Sequence, residues 1–247
     1  MLHMADETLD ALTLDETADG GWKRSGLRPE QLAWGVPSPE RTYWPARLAV
    51  LAAIGLYLAL PARLVPGPRW VLPALEGAVL LVLTTFTPHS TMQQSTVRRK
   101  LAIVLVAIVT IANLINLGLL VYELLHGRIS NGRELIFSSI AVWLTNVIVF
   151  GLWYWELDRG GPAARHRPDH RQPDFLFPQM NAPGSSTADW GPGFIDYLYV
   201  SFTNATAFSP TDTMPLTPMA KALMTIQSGA SLLTVALVAA RAVNILS

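Results

Sequence analysis

Between Tyr43 and Leu246 the chain returns again and again to runs of about 20 apolar residues with almost no charge. That is the length a hydrocarbon core of about 30 Å demands of a crossing helix. A lone strand in lipid would leave its backbone groups unpaired, so each run is read as a helix. The spans are expected at 44–65, 70–86, 101–125, 135–155 and 219–246. Pro61 and Arg63 shorten the first, and Glu76 interrupts the second. Tyr43, Trp44, Trp70, Trp153, Tyr154 and Trp155 stand near the ends, where amphipathic rings favour the headgroup level. The expected fold is an all-α integral membrane protein with about five spans.

Composition narrows the function classes. Only 15% of residues are charged and 51% are hydrophobic, against roughly 25% charged in soluble domains. Net charge is zero and no basic block tracks a phosphate backbone, so nucleic acid is not an expected partner. Cysteine is absent, which excludes disulfides, thiolate metal sites and a cysteine nucleophile. There is no HExxH, GxSxG, Walker loop or GxGxxG, so neither an enzyme nor a cofactor is expected. His166 and His170 are four apart beside Asp169, yet Pro168 and Pro173 oppose the helix that would align them on a metal. Residues 1–42 read as a polar, largely disordered tail, in which Trp22 and Trp34 suggest local docking. Its acidic start (Asp6, Glu7, Asp10) lacks the apolar run of a secretory leader.

The stretch 158–192 is rich in Pro, Gly and charge and reads as a long connection outside the membrane. Within it, Phe175, Leu176 and Phe177 form an apolar island suited to docking on the membrane face. Residues 193–206 are apolar but too short to span, and Pro210 stops them from continuing as helix. A short apolar helix, an irregular stretch and then a full span is the pattern of a re-entrant loop. Such backbone is tolerated at membrane depth only when protein buries it or water fills a cavity beside it.

The region 198–217 resembles the pore of tetrameric potassium channels, in which a pore helix, a filter, an Asp and a P-x-T precede the inner helix. Leu198, Ser201, Ala205 and Thr206 fall where the pore helix has the same or similar residues, with Thr203 and Asn204 beside them. Asp212 matches the Asp after the filter, and Pro215 and Thr217 match the P-x-T. The resemblance implies an outer helix at 134–157, a linker at 158–192, a pore helix and loop at 193–215 and an inner helix at 218–246. It leaves the first three helices, at 43–126, without a counterpart.

The departure falls on the filter itself, which reads Ala207, Phe208, Ser209, Pro210 and Thr211. The family's filter strips an ion's hydration shell with stacked carbonyls, and its glycines permit that backbone. Both glycines are missing, and Pro210 locks φ near −65°. A potassium-selective filter is therefore not expected. The resulting expectation is a channel-like protein in the plasma membrane, assembled with itself as a homotetramer in the lipid bilayer. It either passes monovalent cations with little selectivity or does not conduct. Thr206, Ser209, Thr211 and Thr213 would line a hydrated path, and a ring of Asp212 carboxylates would draw cations. The alternative is a non-conducting scaffold, a partner subunit or a small transporter that keeps the pore fold.

Other polar residues fall inside the spans: Asn113 and Asn116 on one helix face, Asn146, Gln227 and Ser228. Interhelical hydrogen bonding is the ordinary reason for such residues, while on an inner helix Gln227 would equally suit a pore lining. Ser228, Gly229, Ala230 and Ser231 are small enough for close helix approach or for a hinge. Glu76 and Glu123 can both reach an interface, and a proton-carrying role is the alternative for them. In a five-span arrangement thirteen Lys and Arg lie on the side of the tail and linker and five on the other. The positive-inside rule then places the tail in the cytoplasm, with the loop entering from that face, opposite to potassium channels.

Overall fold

The structure is a computed structural model that describes residues 13–16, 22–25, 43–65, 67–85, 92–126, 132–165, 172–181, 190–206 and 212–246. It is mostly helical. The long helices are α1 (Trp44–Ala59), α2 (Val71–Thr85), α3 (Met92–Leu125) and α4 (Gly132–Leu157). A single turn, α5 (Pro178–Asn181), precedes α6 (Phe194–Thr206) and α7 (Pro218–Leu246). Among the described residues, three helical stretches are long and apolar enough to cross a membrane: Val97–Leu125, Gly132–Gly160 and Pro218–Ala240. Their outward chains, such as Val104, Ile111, Leu232 and Val235, are exposed and apolar. That surface suits lipid and would be a liability in water.

The helix ends follow from local chemistry. Pro45 occupies the first turn of α1, where no amide is missed. Leu60 precedes Pro61 and is extended (ψ 146°), which ends the helix. Arg69 then reaches back, and its Nη2 donates to Leu58 O (2.6 Å) and Leu60 O (2.7 Å), occupying carbonyls that the helix end leaves free. α3 begins at Met92, so Arg98, Arg99 and Lys100 lie within the helix rather than ahead of it. Both residue types are good helix formers.

Two small antiparallel pairs depart from an all-helical chain. β1 (Thr13–Glu16) pairs with β2 (Trp22–Ser25) inside the stretch read as a largely disordered tail. β3 (Phe175–Leu176) pairs with β4 (Met214–Pro215), joining the linker to the approach to α7. The apolar island of the linker is thus fastened, with Phe175 and Phe177 buried. They pack on Tyr154, Tyr197 and Trp190.

α4 is the hub, touching α1, α3, α6 and α7. Two thirds (67%) of its apolar window is buried, against 17% for α7. Gly151 lets α6 come this close, because a Cβ there would lie 3.2 Å from Leu198 Cα, in backbone that has no room to retreat. Gly151→Val should therefore cost about 1–3 kcal/mol through overpacking. It should appear as a lowered melting temperature in detergent, whereas Gly118→Val, at a glycine with open space around it, should change little.

Candidate functional site

α6 lies between α4 and α7, and a buried polar network fixes it there. The network centres on Gln227 of α7, whose side chain is fully buried. Its Nε2 donates to Ser201 O (2.9 Å) and Ser201 Oγ (2.6 Å) on α6. Its Oε1 accepts from Tyr154 OH of α4 (2.5 Å) and Asn204 Nδ2 of α6 (2.8 Å). All four hydrogen-bonding positions of the amide are filled. The carbonyl of Ser201 can only accept, which fixes the amide's orientation.

The neighbours extend this lock along α6. Ser201 Oγ donates to Val147 O of α4 (2.6 Å). Asn204 Nδ2 also donates to Met224 O (3.0 Å), and Ser228 Oγ donates to Asn204 Oδ1 (3.1 Å). Ser231 Oγ donates to Ala205 O near the end of α6 (2.6 Å) and accepts from Trp143 Nε1 (2.7 Å). Asn146 Nδ2 reaches Gln227 O (3.3 Å). Residue numbers rise together along α6 and α7 in these contacts, so the two helices run the same way. α4 runs against both.

A second network gathers the heads of α6 and α7 at the end of α4. Arg159, Gly160 and Gly161 have φ of 54°, 89° and 98°, turning the chain sharply after α4. A Cβ on Gly161 would sit 3.0 Å from Glu156 O, so only glycine fits that turn. Asp158 is fully buried. Its Oδ1 accepts from Asp174 N (2.7 Å) and its Oδ2 from Tyr197 OH (2.5 Å). Asp174 accepts in turn from Arg159 N (3.1 Å) and Thr217 Oγ1 (2.7 Å). Thr217 is the residue before α7, and its Oγ1 accepts from Ala220 N (3.3 Å) as a helix cap. Arg165 Nη1 donates to Trp155 O (2.6 Å) and Asp158 O (3.1 Å), with its guanidinium 5.0 Å from the Tyr197 ring centre. Asp196 Oδ2 accepts from Gly193 N (2.8 Å) at the start of α6. The start of α6 and Thr217, at the head of α7, therefore both lie at this end of α4.

The candidate residues separate clearly. Ser201, Asn204 and Gln227 meet in one network, as Asn146 does. Gln227 points between the helices of its own chain and not outward from α7. Thr203 and Thr206 bond to carbonyls of their own helix. Ser228 and Ser231 use their small size to approach α6, while Gly229 faces open space. Asp212 is exposed and Thr213 buried. Ala207, Phe208, Ser209, Pro210 and Thr211 lie outside the described residues, as do His166 and His170. The corner built by Asp158, Arg165, Asp174 and Tyr197 was not among the sequence candidates. In the stretch read as a long connection outside the membrane, Asp158, Arg159 and Arg165 are turned inward. No family model matches the chain, and neither a curated protein nor a solved structure matches it.

Two outcomes are expected of these networks. Gln227→Leu strands Ser201, Asn204 and Tyr154 groups and should cost about 1–3 kcal/mol, read as a lower melting temperature. Burial, with the Asp158 carboxylate and its hydrogen bond adding to it, holds the Tyr197 phenol well above its ordinary 10.0 against the pull of Arg165 and Arg159. Its contribution to stability is complete below the unfolded value and is lost as pH rises above it toward the folded one. Melting temperature should therefore fall above about pH 10, and Tyr197→Phe should flatten that fall.

Proposed function

We propose that the chain is a channel-like membrane protein with about five spans. In this reading α6 is a re-entrant pore helix set between an outer helix, α4, and an inner helix, α7. The carrying observation is the Gln227 lock, which holds α6 parallel to α7 while both helix heads gather at the Asp158 corner. A helix that enters and returns on one face, beside a helix that starts from the same face, is the arrangement a pore module needs. α7 is mostly exposed along its apolar length, which suits an inner helix completed by neighbouring copies in a homotetramer. In that assembly the exposed Asp212 would form a ring at the mouth and favour cations.

The glycine-free stretch 207–211 argues for weak selectivity among monovalent cations. It also favours the second reading, a non-conducting scaffold or partner subunit that retains the pore architecture. A plasma membrane location with a cytoplasmic tail accompanies either reading, from the distribution of Lys and Arg.

Native mass spectrometry from nanodiscs should show a tetramer. Liposomes holding it should pass monovalent cations ahead of anions, and Asp212→Asn should reduce that preference several-fold. A monomer or dimer removes the pore reading. A tetramer without flux under any voltage, pH or tension leaves the scaffold.

A further inference from the structure

Away from α6, four helices enclose a third polar cluster. Glu76 of α2, Asn113 and Asn116 of α3, Tyr57 of α1 and Thr145 of α4 line a cavity of about 10 Å³. That is room for one water-sized particle. The rest of its wall is apolar. Glu76 and Asn116 are each only 2% exposed. Oε2 of Glu76 and Oδ1 of Asn116 make no hydrogen bond. Two buried oxygens without donors in one small space are costly unless something electropositive sits between them.

Charge narrows it to one positive charge, a proton or a monovalent cation. Glu76 is the one charged residue lining the cavity among the described residues. Arg69, near the end of α1, is committed to Leu58 O and Leu60 O. A carboxylate with no basic partner inside a helix bundle in lipid carries a large desolvation cost. A divalent ion would reverse that charge and leave an excess, whereas a monovalent ion cancels it. The neutral oxygens of Asn113, Asn116, Tyr57 and Thr145 are the hard ligands that alkali cations take, and the small volume favours a small one.

We propose that the Glu76 cavity is a binding site for a sodium-sized monovalent cation, separate from any path along α6 and α7. The ion would bridge α1, α2, α3 and α4 and tighten that half of the molecule.

The test is the melting temperature of the purified full chain at mildly alkaline pH. Sodium would replace N-methylglucamine at constant ionic strength. Binding to the folded state should raise it by about 3 °C or more once sodium exceeds its dissociation constant many-fold. Lithium should act like sodium, and potassium should act weakly. The shift should vanish in Glu76→Gln and persist in Asp212→Asn, which separates this site from the proposed pore. Radioactive sodium bound to the unmutated protein should reach one ion per chain, a measurement that does not depend on the variant folding. No sodium-dependent shift and no bound sodium would overturn the proposal and leave a proton or a water in the cavity. A shift that survives Glu76→Gln, or disappears in Asp212→Asn, would overturn it equally.

Discussion

A short helix carried into a helix bundle brings a cost that a long one avoids. Its ends leave four N–H and four C=O groups without intrahelical partners, and inside a bundle these cannot turn to water. In α6 the hydroxyls of Ser228 and Thr206 take the carbonyls of Asn204 and Thr203 in the last turn, and one amide seats the helix. Gln227 joins Ser201 and Asn204 of α6 to Tyr154 of α4, and Ser231 takes the carbonyl of Ala205 near the last turn. The other features of this half depend on that placement. Gly151 exists to admit α6, and Trp143 can lie edge-on to Phe202 only with α6 in its groove.

The Asp158 corner solves a different problem at the end of α4. A chain leaving α4 must reverse, seat a linker and start two helices side by side. Three successive residues of positive φ make the turn, and Asp158 and Asp174 then distribute their oxygens among the linker, α6 and the cap of α7. A buried carboxylate and a half-buried one tied to hydroxyls and backbone amides in this way specify one arrangement rather than many.

The long apolar helices were legible because membrane length and hydropathy leave so little freedom. α4 and α7 fall within three residues of their expected bounds, whereas α3 starts nine residues before Leu101, and Pro210 marked a limit between α6 and α7. The hydrogen-bonding of Gln227 was legible as a type and not as a direction, since a polar residue on an inner helix suits a pore or a neighbour equally. Only the contacts of Ser201 and Tyr154 decide between them. The corner was hidden for a physical reason. Asp158, Arg159 and Arg165 look like ordinary solvated charges in a Pro- and Gly-rich stretch. Their burial depends on pairings with Asp174, Tyr197 and Thr217, far along the chain, which no local pattern encodes. The pairing of β1 with β2 was hidden because half of their residues, Asp15, Glu16, Lys23 and Arg24, are charged.

The length of α1 has a geometric consequence for any lipid around it. α1 has 16 residues, so it is about 24 Å long at 1.5 Å per residue. α3, α4 and α7 are all far longer. α1 is thus shorter than a bilayer core of about 30 Å, while those three exceed it. Where helices of such unequal length share one bilayer, the lipid thins beside the short one or sorts by acyl length around it.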